Sequence, residues 1–197
     1  MKRPRHHSRY PLSDGQPIAL VGMMGVGKTT VGRHLARFFD SRFLDSDEEI
    51  CRSAGMPIPD IFSSYGEPAF RDLEYKVIDR LLGKGPAVIS TGGGALTDAR
   101  TRHALLTRSC VIRLDASIDD IAMRVSRTQD TRPNLAGESL LDTLARLIRE
   151  RERFYSLAHR TFHAQSGQSS RQLAFDIATA LLDGTSPTTS HSFNLED

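Results

Sequence analysis

The chain has 197 residues, with 26 Lys and Arg against 24 Asp and Glu and a formal net charge of +2. That length holds one α/β domain with a substantial core, and the near balance of charge excludes a bulk electrostatic pull towards nucleic acid or a membrane. No apolar run approaches the ~20 residues of a membrane span, the start lacks the apolar stretch of a secretory signal, and Cys51 and Cys110 have no CxxC spacing to suggest a disulfide framework or a zinc site. Cytoplasmic location is therefore the expectation.

Residues 1–16 read as a flexible basic arm carrying Lys2, Arg3, Arg5, His6, His7 and Arg9. Such an arm is either a solvated terminus or a nucleic-acid tether; the first is expected, with no nucleic-acid partner. Pro17 to Val21 is an apolar run of strand length, and Lys28 to Asp40 spaces Val31, Leu35, Phe38 and Phe39 as a helix does. Between them Gly22-Met23-Met24-Gly25-Val26-Gly27-Lys28-Thr29 fits G-x-x-x-x-G-K-[ST], the phosphate-binding P-loop. Glycines let backbone N–H groups approach phosphate oxygens with no Cβ in the way. The helix opening at Lys28 aims its positive dipole end at the same anion. In this motif Lys28 reaches the β- and γ-phosphates of a nucleotide and the Thr29 hydroxyl ligates Mg²⁺.

Arg42 to Asp45 reads as a short strand, with helices from about Asp47 to Ala54 and from about Glu67 to Leu82. Pro86 to Ser90 is a buried strand, and Thr97 is expected to cap a helix running to about Thr107. Cys110 to Leu114 is another strand, followed by a helix from about Ile118 to Arg127 and a polar stretch at 128–138. Leu140 to about Leu157 is a long amphipathic helix, Arg160 to His163 a last strand, and Arg171 to Leu182 a closing helix. The tail at 184–197, rich in Ser, Thr and Pro, is expected to be disordered or loosely docked. Alternation of this kind means a mostly parallel sheet with helices on both faces. In such folds ligands bind at the carboxyl ends of the strands.

Several clusters fall at those ends. Asp45 and Asp47, two apart at the end of a strand, are expected to project to one face beside the P-loop. One can stand near Mg²⁺ through water and the other hydrogen-bond a substrate hydroxyl; alternatively, Asp47 caps the following helix. Arg71 and Glu74 share a helix face, as a surface ion pair or as a carboxylate-gripping arginine with its holder. Gly92-Gly93-Gly94 puts three glycines where a turn needs one, which points to close approach of backbone to a ligand. Arg124, Arg127 and Arg132-Pro133 lie in and before the polar stretch, where flexible arginine-bearing segments behave as lids.

Taken together, the P-loop with Thr30, Phe43-Leu44-Asp45-Ser46-Asp47, Ile61-Phe62 with Gly66-Glu67, Phe70-Arg71 with Glu74, Gly92-Gly93-Gly94, Arg132-Pro133, and Arg151 with Tyr155 resemble the shikimate kinase family over residues 17–183. The resemblance implies a three-layer P-loop kinase fold, with a substrate-binding region at about 46–82 and a short lid at about 128–138. It implies ATP-dependent phosphorylation of the 3-hydroxyl of shikimate by a monomeric enzyme that uses Mg²⁺. Carried over, Gly25, Val26, Gly27, Lys28, Thr29 and Thr30 hold the ATP phosphates. Thr29 ligates the metal, with Asp45 supporting it through water. Asp47 meets the hydroxyl to be phosphorylated. Arg71 and Arg151 bind the shikimate carboxylate beside Gly92, Gly93 and Gly94. Arg132 is the lid arginine and Arg127 lies against adenine. Arg153 stands where the family commonly has proline, and the match is weakest at Ser166-Gly167-Gln168, on the adenine side. A gluconate-type kinase and a nucleotide-binding regulator without turnover are the alternatives.

Overall fold

Alternating strand and helix signals resolve into five short strands: β1 (Ile18–Val21), β2 (Arg42–Asp45), β3 (Ala87–Ser90), β4 (Cys110–Asp115) and β5 (Arg160–His163). They form one sheet in the order β2-β3-β1-β4-β5, with every pairing parallel. This computed structural model describes residues 11–12, 15–127 and 139–184. The expected lid at 128–138, with Arg132, lies outside the described residues, as do most of the basic arm and the tail beyond Gly184.

Strands β1 and β3 are buried along their whole length, which is why their sequences are continuously apolar rather than alternating. The period of two survives in where the side chains go. Ala19 and Val21 join one core cluster with Ile50, Ile78 and Leu105, while Ile18 and Leu20 join another with Leu35 and Ile177. The register carries this across the sheet, since Leu44 pairs with Ile89, Ile89 with Ala19, and Ala19 with Val111. All four face the first cluster.

Seven helices complete the described part: α1 (Lys28–Phe38), α2 (Ser46–Ala54), α3 (Ile58–Leu82), α4 (Ala99–Arg108), α5 (Ile118–Ser126), α6 (Leu140–Tyr155) and α7 (Ser170–Leu182). Helices α1 and α7 cover one face of the sheet; α2 to α6 contribute to the core on the other. Two expectations change. The cap of α4 is Asp98, whose Oδ1 accepts from the N–H groups of Arg100 and Thr101 at 3.0 Å each. Thr97 instead donates its hydroxyl to the Gly94 carbonyl at 2.7 Å, closing the preceding turn. Helix α3 starts nine residues before the expected Glu67, at Ile58, and is two segments broken at Gly66, where φ is 78° and ψ 173°. Pro68 just beyond the break fits the first turn of the second segment, where a missing N–H costs nothing.

The first P-loop glycine is fixed by the sheet. Gly22 has φ 135°, and a Cβ there would lie 2.2 Å from the Leu114 carbonyl oxygen on β4. Gly22→Ala combines backbone strain with a clash against main chain, each about 1–3 kcal/mol. A loss of about 3 kcal/mol or more is expected in urea unfolding; an unchanged midpoint would mean that β4 yields without cost.

Candidate active site

Five of the described helices open on a Ser or Asp side chain that accepts their first free N–H groups, as Asp45 does for α2 and Ser117 for α5. Helix α1 opens on Gly27 with no side-chain cap. Its leading N–H groups are therefore available to an anion held by the loop. Lys28 is buried, and its ammonium donates to the carbonyls of Gly22 and Met23 at 2.8 Å each. The lysine is thus pinned across the loop it belongs to.

Asp45 ends β2 and is buried. Its Oδ2 accepts the Thr29 hydroxyl at 2.9 Å, and its Oδ1 accepts the Asp47 N–H at 3.0 Å. The Ser90 hydroxyl, at the end of β3, lies 3.4 Å from that of Thr29. Only Asp45 of the aspartate pair is in the strand. Ser46 and Asp47 form the first turn of α2, so the two carboxylates reach one cavity by a strand end and a helix start rather than by strand alternation. The cap of α2 is Asp45, which leaves the Asp47 side chain to the cavity.

Beyond Asp47 lies an ion pair deep in the protein. Glu74 is fully buried, and its Oε2 accepts from Arg71 Nη1 at 2.6 Å. Arg71 also donates to Glu67 and lies 5.2 Å from the Phe70 ring centroid. Burial pushes the Glu74 carboxyl above its ordinary range; Arg71 pulls it back down, and the charge of Asp47 adds to the rise. Burial disfavours the Arg71 charge, but Glu74 and Glu67 more than offset this and hold the guanidinium cationic. Oε1 of Glu74 has no hydrogen-bond partner.

The glycine run threads between these groups. A Cβ on Gly92 would meet Asp47 Oδ1 at 2.9 Å and Glu74 Oε1 at 3.1 Å. On Gly93 it would meet the Met24 N–H nitrogen at 3.2 Å, and on Gly94 it would meet Arg71 Nη2 at 2.6 Å. Each glycine makes room for a different functional group. Arg151, on α6, donates to the Gly93 carbonyl at 3.2 Å. A cavity of about 580 Å³ opens over the P-loop, lined by Lys28, Thr29, Thr30, Asp45, Asp47 and Gly93 on one side and by Arg124 and 168–170 on the other.

The model of the shikimate kinase family matches residues 24–182. The chain belongs to the shikimate kinase family. It is 51% identical over 160 residues to a shikimate kinase of Novosphingobium aromaticivorans, covering 78% of this chain and 82% of the relative. It is 42% identical over 165 residues to one of Caulobacter vibrioides, covering 83% and 81%. A solved shikimate kinase of Acinetobacter baumannii, in complex with shikimate, superposes with a TM-score of 0.80 at 40% identity, over 86% of this chain and 94% of that one.

The structure brings together Gly25, Gly27, Lys28, Thr29, Thr30, Asp45, Asp47 and Gly93 on one cavity. Arg71, Gly92, Gly94 and Arg151 stand behind its lining, joined to it through the glycine run. Val26 is buried under the loop, and Arg127 is exposed at the end of α5. Arg124, Ser169 and Ser170 have no place in the family-based set, and Gln168 enters it only as part of the weakly matching adenine-side loop. Arg124 lines the cavity and donates to the Val26 carbonyl at 3.1 Å; its position among the arginines before the polar stretch was its only signal. Gln168, Ser169 and Ser170 also line it, and here Ser169 caps α7. A Ser pair before an apolar helical pattern is an ordinary cap signature and does not announce a cavity wall.

Glu74 yields a pH prediction. An acid whose pKa rises on folding keeps its proton in the native state where the unfolded chain has lost it. Its contribution to stability therefore falls as pH climbs from the ordinary 4.5 through the raised native value. Glu74→Gln should flatten that part of the stability curve, measured by urea unfolding in steps upward from pH 4.5. A wild-type slope surviving in the variant would assign it to another group.

Proposed function

We propose that the chain transfers the γ-phosphoryl group of ATP to the 3-hydroxyl of shikimate, giving shikimate 3-phosphate and ADP in aromatic amino acid biosynthesis. The observation that carries this reading is the glycine run, which sets Asp47, Glu74, Arg71 and Arg151 around one backbone segment beside a P-loop. That arrangement suits a small acceptor with a carboxylate at one end and a hydroxyl at the other. The shikimate-bound Acinetobacter baumannii relative supports the same acceptor.

On this reading the amides of Gly25, Val26, Gly27, Lys28, Thr29 and Thr30 hold the ATP phosphates, and the Lys28 ammonium turns from the loop carbonyls to the β- and γ-phosphates. The Thr29 hydroxyl and Asp45 carboxylate, 2.9 Å apart, are a hard oxygen pair that fits Mg²⁺. Thr29 would bind it directly and Asp45 through water. Once bound, Mg²⁺ would supply charge that neutralises the phosphate oxygens. Asp47 accepts the hydrogen bond of the 3-hydroxyl and aims its oxygen at the γ-phosphorus. As the bond from phosphorus to the β,γ-bridging oxygen breaks and the new oxygen–phosphorus bond forms, the hydroxyl proton passes to Asp47. The transition state is loose, so this transfer comes late and positioning does most of the work. Arg132 reaches the phosphates from the lid, Arg127 lies against adenine, and Arg71 and Arg151 hold the acceptor carboxylate.

Two substitutions separate these roles. Arg71→Ala removes a charged hydrogen bond of about 1.5–3 kcal/mol, so the shikimate KM should rise about 10- to 100-fold with a smaller loss of kcat. Asp47→Asn should lower kcat about 10²- to 10⁴-fold. Both are read by ADP release with shikimate, gluconate and nucleoside monophosphates as acceptors. Shikimate alone should support release; turnover on gluconate instead would overturn the assignment, and an unmoved shikimate KM would remove Arg71 from the carboxylate site.

A further inference from the structure

We infer that Tyr155 is a positioning residue, which locks the Gly93–Gly94 peptide and thereby sets the carboxylate end of the acceptor pocket. Tyr155 closes α6 and is 3% exposed. Its hydroxyl donates to the Gly93 carbonyl at 2.5 Å. Arg151, one helical turn earlier, brings Nη1 to 3.2 Å of the same oxygen. The ring is held in turn, with Met23 Sδ 3.8 Å from the hydroxyl and the Arg113 guanidinium 5.5 Å from the ring centroid. Arg113 is itself anchored to Glu152 and Asp115. Burial holds the phenol above its ordinary range, so it remains a neutral donor.

The need for a lock follows from the glycines. Gly93 and Gly94 lack the side chains that would bias the plane of the peptide between them. A trans peptide is planar, so its C=O and the following N–H point in opposite directions. Fixing the Gly93 oxygen on Tyr155 therefore turns the Gly94 N–H away from α6. Gly94 backs directly on Arg71, whose Nη2 lies 2.6 Å from where a Cβ would be. The locked peptide thus lies between Arg71 of α3 and Arg151 of α6, the two guanidiniums proposed for the carboxylate. Tyr155 donates to the Gly93 carbonyl beside Arg151, whose guanidinium also contacts the phenol. Without the Tyr155 hydroxyl, the arginine becomes the remaining side-chain donor to a half-buried oxygen and is drawn off the substrate.

This inference rests on the proposed acceptor, and Tyr155→Phe tests it because the ring and its Arg113 contact remain. The shikimate KM is expected to rise about 5- to 10-fold, the worth of a net hydrogen bond of about 1 kcal/mol or slightly more. The ATP KM should be unmoved and kcat change less than the shikimate KM. With the carboxamide of shikimate as acceptor, the wild-type preference for the carboxylate should shrink by the same factor. An unmoved shikimate KM, or equal rises for shikimate and ATP, would overturn the proposal. Tyr155→p-aminophenylalanine keeps a para donor, and should hold the shikimate KM within about twofold of wild type whether or not the Phe variant folds; a tenfold rise there also overturns it. A wild-type protein that does not phosphorylate shikimate would sink the acceptor assignment instead, a result distinct from an active enzyme indifferent to Tyr155.

Discussion

Asp45 belongs to two structural systems at once, and the geometry of the site depends on that double use. One carboxylate oxygen takes the Thr29 hydroxyl from the P-loop helix, and the other takes the Asp47 N–H at the start of α2. The side chain is buried at the end of β2, where its charge is tolerated because donors from both sides solvate it. The P-loop wall and the α2 wall of the cavity are therefore referenced to one residue rather than to each other across a loop. A shift of α2 relative to the P-loop would strip a buried carboxylate of a donor, which is costly. Asp47, the residue proposed to meet the acceptor hydroxyl, inherits that registration because its own N–H is part of it.

The second constraint is steric. Between β3 and α4 the chain passes close against Asp47, Glu74, Met24 and Arg71, and Cβ atoms on this run would crowd those groups. Close approach to a ligand was the natural reading of Gly92-Gly93-Gly94. The structure adds a second cause: the glycines also accommodate the protein's own functional groups, and Gly93 lines the cavity. Their conformational freedom is then taken up by partners outside the run, with Ser46 accepting the Gly92 N–H and Thr97 closing onto the Gly94 carbonyl.

Much of this was legible in the chain. The P-loop, the five strands and most helices follow from apolar spacing, because burial on both faces leaves parallel strands continuously apolar. Asp45 and Asp47 do line one cavity, but not by strand alternation, since one ends a strand and the other starts a helix. The first segment of α3 was missed because Gly66 and Pro68 interrupt its pattern, and because Phe62 and Tyr65 are exposed rather than packed. Thr97 and Asp98 are adjacent cap formers, and only the backbone decides between them. The wall formed by Arg124 and 168–170 is assembled from separate segments by the fold, and no local spacing records such a meeting.

The buried ammonium of Lys28 has a consequence for what the P-loop accepts. It is already coordinated by two carbonyls of its own loop. An arriving anion must therefore displace internal dipoles, and only the difference between the two sets of contacts contributes to affinity. A weakly basic monoanion offers little over two well-aligned carbonyls. A polyphosphate bound as proposed would engage the lysine, the uncapped α1 terminus and the loop amides together. On the proposed reading, such a loop would discriminate by the number of simultaneous contacts rather than by the presence of negative charge.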